Sequence, residues 1–182
     1  MNLKTYFKQN IKPNIILKTN ENNLMNIPKI SKITLNIGAS NVSKNKNNLL
    51  EPMLAMEIIT GQKPKLIQAK NSISTFNLRK GIYTACKVTL RDENMYQFIS
   101  KLNKIVLPKI QDFKGISKNS FDNNGNYSFS IKNLIIFPEI EYQYKKFKQS
   151  MGMDISIDIK SRNISNNVLL LSGLQLPFTS KK

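Results

Sequence analysis

Histidine is absent from this chain, cysteine occurs once and arginine only three times. Without histidine the commonest general base and metal ligand is missing, so neither a Ser–His nor a Cys–His pair can form. The single Cys86 excludes a disulfide framework and fits a reducing compartment. No GxxxxGK[ST] loop is present, and no apolar run approaches the roughly 18 residues of a membrane-spanning helix. Stretches such as Val168–Leu171 are far too short. The first residues lack the apolar segment of a secretory leader, and no arginine precedes Arg79, which argues against an Arg-rich transit peptide. The eleven carboxylates are scattered. Asp154 and Asp158 fall on one strand face and form the best metal candidate, but the pattern reads as two solvated groups. Asp122-Asn123-Asn124-Gly125 lacks the terminal Glu of a calcium loop and reads as a turn. Catalysis has little to build on, and neither a metal nor a cofactor is expected.

Positive charge is what the chain has in excess. Twenty-eight Lys and Arg against eleven Asp and Glu give a net charge of +17 and a pI near 10.0, pointing to nucleic acid or an anionic membrane surface. A length of 182 residues suits one domain, and 40% hydrophobic residues provide for a globular core. Asn, Lys and Ile are abundant and Ala is scarce, a preference that tracks AT-rich codons in an organellar or bacterial gene. Against that bias the retained Arg79, Arg91 and Arg162 stand out, because guanidinium offers a planar fork that lysine cannot reproduce.

The charge is not spread evenly. Between Glu57 and Asp92 there is no carboxylate, while Lys63, Lys65, Lys70, Arg79, Lys80, Lys87 and Arg91 all fall in that window. Such a cluster repels itself unless solvent or a polyanion neutralises it. From Ile82 the even positions, Ile82, Thr84, Cys86, Val88 and Leu90, alternate with Tyr83, Ala85, Lys87, Thr89 and Arg91. This period of two predicts a strand with the even set on a core and the odd set on an open face suited to phosphate and ribose. Residues 71–81 lack sustained periodicity and end on glycine, so they read as a projecting loop with Phe76, Arg79 and Lys80 near its tip. Phe76 and Tyr83 read either as loop-anchoring hydrophobes or as platforms for an unpaired base.

Elsewhere the pattern predicts a basic helix over 3–17, interrupted or restarted at Pro13, and polar loops over 20–26 and 38–48. Ile33, Leu35 and Ile37 mark a strand. An amphipathic helix over 49–60 carries a stripe of Leu50, Leu54 and Ile58 with Met53, and Gly61 closes it. Asp92 is the expected N-cap of a helix to about Val106, with the stripe Met95, Phe98, Ile99, Leu102 and Ile105 and a stop at Pro108. Residues 109–133 read as loop-rich with a turn at Asn124-Gly125, 155–159 as a strand and 168–171 as a short final helix. One-faced strands and one-striped helices imply an α+β fold: a plait-like antiparallel sheet with helices on one face and an open RNA-binding face.

Several segments carry a resemblance: IPKISKITLNIG (27–38), ITGQKP (59–64), AKNSISTFNLRKG (69–81), CKVTLR (86–91), LPKIQDFKGI (107–116), NSFDNNGNYSF (119–129), IIFPEI (135–140) and GMDISI (152–157), with the closing Pro177-Phe178. In family order and nearly end to end, they resemble the universal large-subunit ribosomal protein family that binds 5S ribosomal RNA, the bacterial L5 type. The resemblance implies one ribosomal-protein domain over residues 1–182 and a non-enzymatic role in the large subunit. It implies that Asn36, Gln62, Lys63, Lys87, Thr89 and Arg91 bind ribosomal RNA in the central protuberance. The loop with Ser72, Phe76, Asn77, Arg79 and Lys80 is implied to reach P-site transfer RNA. Further implied partners are large-subunit rRNA, neighbouring large-subunit proteins and a small-subunit head protein at an intersubunit bridge, without membrane insertion. The family usually has a small apolar residue and a hydroxyl where Lys65 and Ile67 stand here, and more arginine where Gln111, Lys114, Asn124 and Lys132 stand.

With the codon bias, the resemblance suggests a mitochondrial ribosome in the matrix; the alternative is the cytoplasm of an AT-rich bacterium. Two other classes compete on composition alone. A basic metal-dependent nuclease would need clustered carboxylates, and a membrane-surface protein would anchor through the helix over 3–17.

Overall fold

The computed structural model describes residues 3–19, 23, 25–38, 49–111, 113–147, 151–161 and 163–179. Five strands, β1 (Ile30–Gly38), β2 (Lys65–Gln68), β3 (Tyr83–Leu90), β4 (Tyr127–Ile131) and β5 (Met153–Ile159), form one antiparallel sheet in the order β2-β3-β1-β5-β4. The helices are α1 (Leu3–Tyr6), α2 (Lys12–Thr19), α3 (Leu50–Thr60), α4 (Asp92–Lys101), α5 (Leu107–Lys109), α6 (Pro138–Glu141) and α7 (Ile164–Gly173). The α+β class expected from the sequence is what is found. Among the described residues no helix is long and apolar enough to cross a membrane. The expected loops over 20–26 and 38–48 fall largely outside the described residues, as does Arg162.

Contacts gather the chain into two units, the first Met1–Ile33, Leu90–Phe129 and Ser156–Lys182, the second Thr34–Thr89 and Ser130–Ile155. In the first, α1 runs through a π-helical turn (Phe7–Ile11) into α2. Proline at 13 has no N–H to give and crowds the turn before it. The wider turn lies just ahead of it, with the Lys12 N–H bonded five residues back to Phe7 O, so the helix passes Pro13 without restarting. A second π turn (Leu102–Val106) joins α4 to α5. It adds a residue to the turn. Met95, Phe98, Ile99 and Leu102 are buried as expected, but Val106 and Leu107 follow them, and Ile105 is exposed. The helix also runs past Pro108 to Lys109. Its N-cap is Arg91 in extended backbone, not Asp92. Asp92 takes a left-handed φ of 48° as the first helical residue, and with Glu93 it sets two carboxylates in a turn whose free N–H groups favour them.

The loop-rich segment 109–133 also contains a strand that its pattern did not announce. Tyr127 and Ile131 are buried while Ser128 and Ser130 are exposed, the alternation of β4. Its lead-in is the Asp122 turn, where one carboxylate oxygen accepts from Asn126 N at 2.7 Å and Asn124 N at 3.0 Å, and the other from Asn126 Nδ2 at 3.0 Å. Gly125 closes it at φ 80°. Helix α7 begins four residues earlier than expected, because Asn163 caps it by accepting from Ser165 N at 3.2 Å.

The second unit holds β2, most of β3 and α3. Here the expected stripe is wrong. Pro52, Ala55, Met56 and Ile59 are the buried residues of α3, whereas Leu50 and Leu54 are 56% and 47% exposed. With apolar residues at most of its positions, this helix gives periodicity little to choose between, and packing decides the face. Gly61 does close it, at φ 66° with its N–H on Glu57 O. Beneath β3, Cys86 and Leu49 are buried with Met53, Leu66 and Ile82 packed against them.

Candidate nucleic-acid interface

The alternation read over 82–91 is the alternation observed. Cys86, Val88 and Leu90 are buried, while Tyr83, Lys87 and Thr89 are exposed. Burial pushes the Cys86 thiol above its ordinary range, as expected of a core residue with no acid–base role. The strand therefore works as a shelf, with an apolar underside fixing a polar upper surface.

An element that sequence reasoning missed extends the shelf. The four-residue β2 pairs antiparallel to β3 in the register Lys65↔Lys87, Leu66↔Cys86, Ile67↔Ala85 and Gln68↔Tyr83, with an irregularity between Ile67 and Gln68. Direct partners in such a ladder put their side chains on one face. An open groove of about 790 Å³ results, lined among others by Gln62, Lys63, Lys65, Tyr83, Lys87 and Thr89. No carboxylate among the described residues lines it. Like charges directly opposed across a ladder are destabilising, so Lys65 facing Lys87 is an arrangement that strand pairing alone does not favour.

Of the residues expected to bind ribosomal RNA, four come together here: Gln62, Lys63, Lys87 and Thr89. Asn36, half-buried on β1 in the same unit, does not line the groove. Arg91 is exposed but belongs to the first unit, one residue beyond the end of β3. Tyr83, expected on the open face as a possible platform for a base, does line the groove, and so does Lys65, which the basic window contains but which was not among the expected RNA-binding residues. The signal that could have placed Lys65 is the return of the chain at Gly81, which folds the Lys63–Gln68 segment back along the next strand.

The loop over 71–81 is a built projection. Ala69 N–H bonds to Ile82 O at 2.8 Å and Gly81 N–H to Ala69 O at 3.0 Å, closing its base. Higher up, Ile73 and Leu78 exchange two backbone bonds, and Lys80 N–H donates to Ser72 Oγ at 3.0 Å. A single 3-10 turn, Ser74–Phe76, makes the tip, and Asn77 ends it at φ 52°, a conformation asparagine tolerates better than most residues. Ser72, Phe76, Asn77, Arg79 and Lys80 are all exposed. Phe76 is 69% exposed, so it anchors nothing within the chain.

The carboxylates do other work. Lys32 Nζ pairs with Asp158 at 2.9 Å, and among the described residues no group of three or more His, Cys, Asp or Glu side chains could hold a metal ion. At Asp122, desolvation opposes ionisation, but the hydrogen bonds from Asn126, Asn124 and Gly125 outweigh it and hold the carboxyl below its usual range. The Tyr127 phenol, desolvated in the core, is pushed up to about 12 and donates to Ser117 O at 2.8 Å.

Two family descriptions match the chain: ribosomal protein L5 over residues 23–79, and the ribosomal L5 family C-terminus over residues 83–178. The large ribosomal subunit protein uL5m of Reclinomonas americana is 42% identical over 179 residues, covering 98% of each chain. A basic groove with no carboxylate among the described residues, and no metal-binding grouping among them, agrees with those matches. The chain belongs to the ribosomal protein L5 family and is a structural protein of the large ribosomal subunit, not an enzyme.

Proposed function

We infer that the chain holds 5S ribosomal RNA, or the ribosomal RNA that takes its place, in the central protuberance of a mitochondrial large subunit. The carrying observation is the groove lined by Gln62, Lys63, Lys87 and Thr89, with no carboxylate among the described residues. Lysine supplies charge for phosphate, while Gln62 and Thr89 supply hydrogen-bonding groups for ribose and base edges. Asn36 and Arg91 contribute further contacts from their own exposed or half-exposed positions. The loop of Ser72, Phe76, Asn77, Arg79 and Lys80 reaches P-site transfer RNA, with Phe76 offering a ring for stacking. Neighbouring large-subunit proteins and a small-subunit head protein at an intersubunit bridge complete the partners. The mitochondrial assignment rests on the uL5m relative and on the AT-rich codon preference.

The test is a filter-binding titration of a 5S ribosomal RNA transcript against salt. With about six phosphates neutralised, the slope of log affinity against log salt should be roughly −4 to −5. A slope near zero would overturn the electrostatic reading.

A further inference from the structure

We propose that Lys65 and Lys87, directly opposed across the β2–β3 ladder, close together on one phosphate of the bound RNA, so that phosphate capture and locking of the β2 edge are a single event. The inference rests on the RNA-binding reading and adds to it a named two-lysine subsite. Three observations converge on the pair. Lys65 and Lys87 are register partners, both are exposed, and both line the same groove. Lys63, also exposed and lining that groove, adds a third cation nearby. No carboxylate among the described residues forms an ion pair with any of them.

The strand that carries Lys65 is weakly held. It has four residues, lies at the sheet edge, pairs on one side only and loses regular register after Ile67. Two ammonium groups facing each other across such a strand push it from its neighbour, and a phosphate between them turns that repulsion into a bridge. An edge lysine can also simply discourage association between sheets. That role does not require a second lysine opposite, nor a groove on the face the two share.

The experiment uses the full chain, its Lys65→Gln, Lys87→Gln and double variants, and a 5S ribosomal RNA transcript. Salt slopes and amide exchange at Leu66 and Ile67 are measured. If both lysines hold one phosphate, either single substitution weakens binding several-fold but leaves the slope almost unchanged, because the remaining lysine still neutralises the phosphate. The double substitution then lowers the slope by about 0.7–0.9, the value of a single phosphate. Exchange in the free wild-type chain should slow as salt screens the pair, slow again on RNA binding, and already be slow in free Lys65→Gln.

Slope losses that add, one phosphate for each lysine, would overturn the bridge. So would unchanged RNA binding in the double variant, or self-association of Lys65→Gln with no effect on RNA. A wild-type slope near zero would instead remove the RNA reading on which the proposal stands.

Discussion

The groove and the loop, both in the second unit and both basic, present their charges in opposite ways. In the groove, Lys87 and Thr89 stand on a strand whose other face is Cys86 and Val88, buried to the last few per cent. Moving those cations means moving the core. In the loop, Arg79 and Lys80 stand above a short ladder held by backbone bonds at Ala69, Gly81, Ile73 and Leu78, and every residue from Asn71 to Asn77 is exposed. The lesson concerns ordering cost. A sheet-held cation can match a fixed phosphate with little entropy to lose, while a loop-held one can follow a partner that arrives and leaves. The Asp122 turn sharpens the contrast, because it turns its carboxylate inward on its own N–H groups, whereas the loop over 71–81 has no carboxylate to turn.

The largest expected effect tests the register on which the groove depends. Native Cys86 should react with a thiol reagent slower than the unfolded chain by about a thousandfold or more, since access requires opening of the core. Fast labelling would mean that the strand is shifted by one residue and that the cations face inward. Next, reversing charge at Lys63, Lys65 and Lys87 together should weaken attachment to the 5S transcript on the order of a hundredfold or more in filter binding. Arg91→Ala should cost about 1–3 kcal/mol in the same titration, the scale of lost charge-assisted hydrogen bonds. The smallest effect is on folding. Asp122 has a lowered folded pKa, so its contribution is present above the unfolded carboxylate value and is lost as pH falls through the folded one. Asp122→Asn should therefore flatten the loss of stability seen in urea titrations as pH falls below the ordinary carboxylate range.

Alternation over 82–91 and 155–159 was legible because each strand has one buried and one wet face, and a period of two survives any codon bias. The loop was legible from its lack of period and its closing glycine. What stayed hidden has physical causes. β2 is too short to establish a period, and β4 lies behind a turn-rich segment whose Asn and Asp residues dominate the local signal. Helix α3 is apolar on most sides, so its buried face had to be settled by packing. Past Leu102 the buried residue is Val106 rather than Ile105, a choice between neighbouring stripe positions that packing makes. Of the interface, the residue types were readable, but the pairing of Lys65 with Lys87 belongs to strand register and could not be read without β2.

The most direct test of the division between groove and loop puts two variants through two assays. Lys87→Ala and the Arg79→Ala/Lys80→Ala double variant are each measured for attachment to isolated 5S ribosomal RNA and for transfer-RNA retention by purified ribosomes. Lys87→Ala should weaken RNA attachment. The loop variant should leave attachment within about twofold, as expected when no sheet-held contact is lost, and should reduce transfer-RNA retention. Loss of RNA attachment in the loop variant, with Lys87→Ala binding normally, would contradict the account.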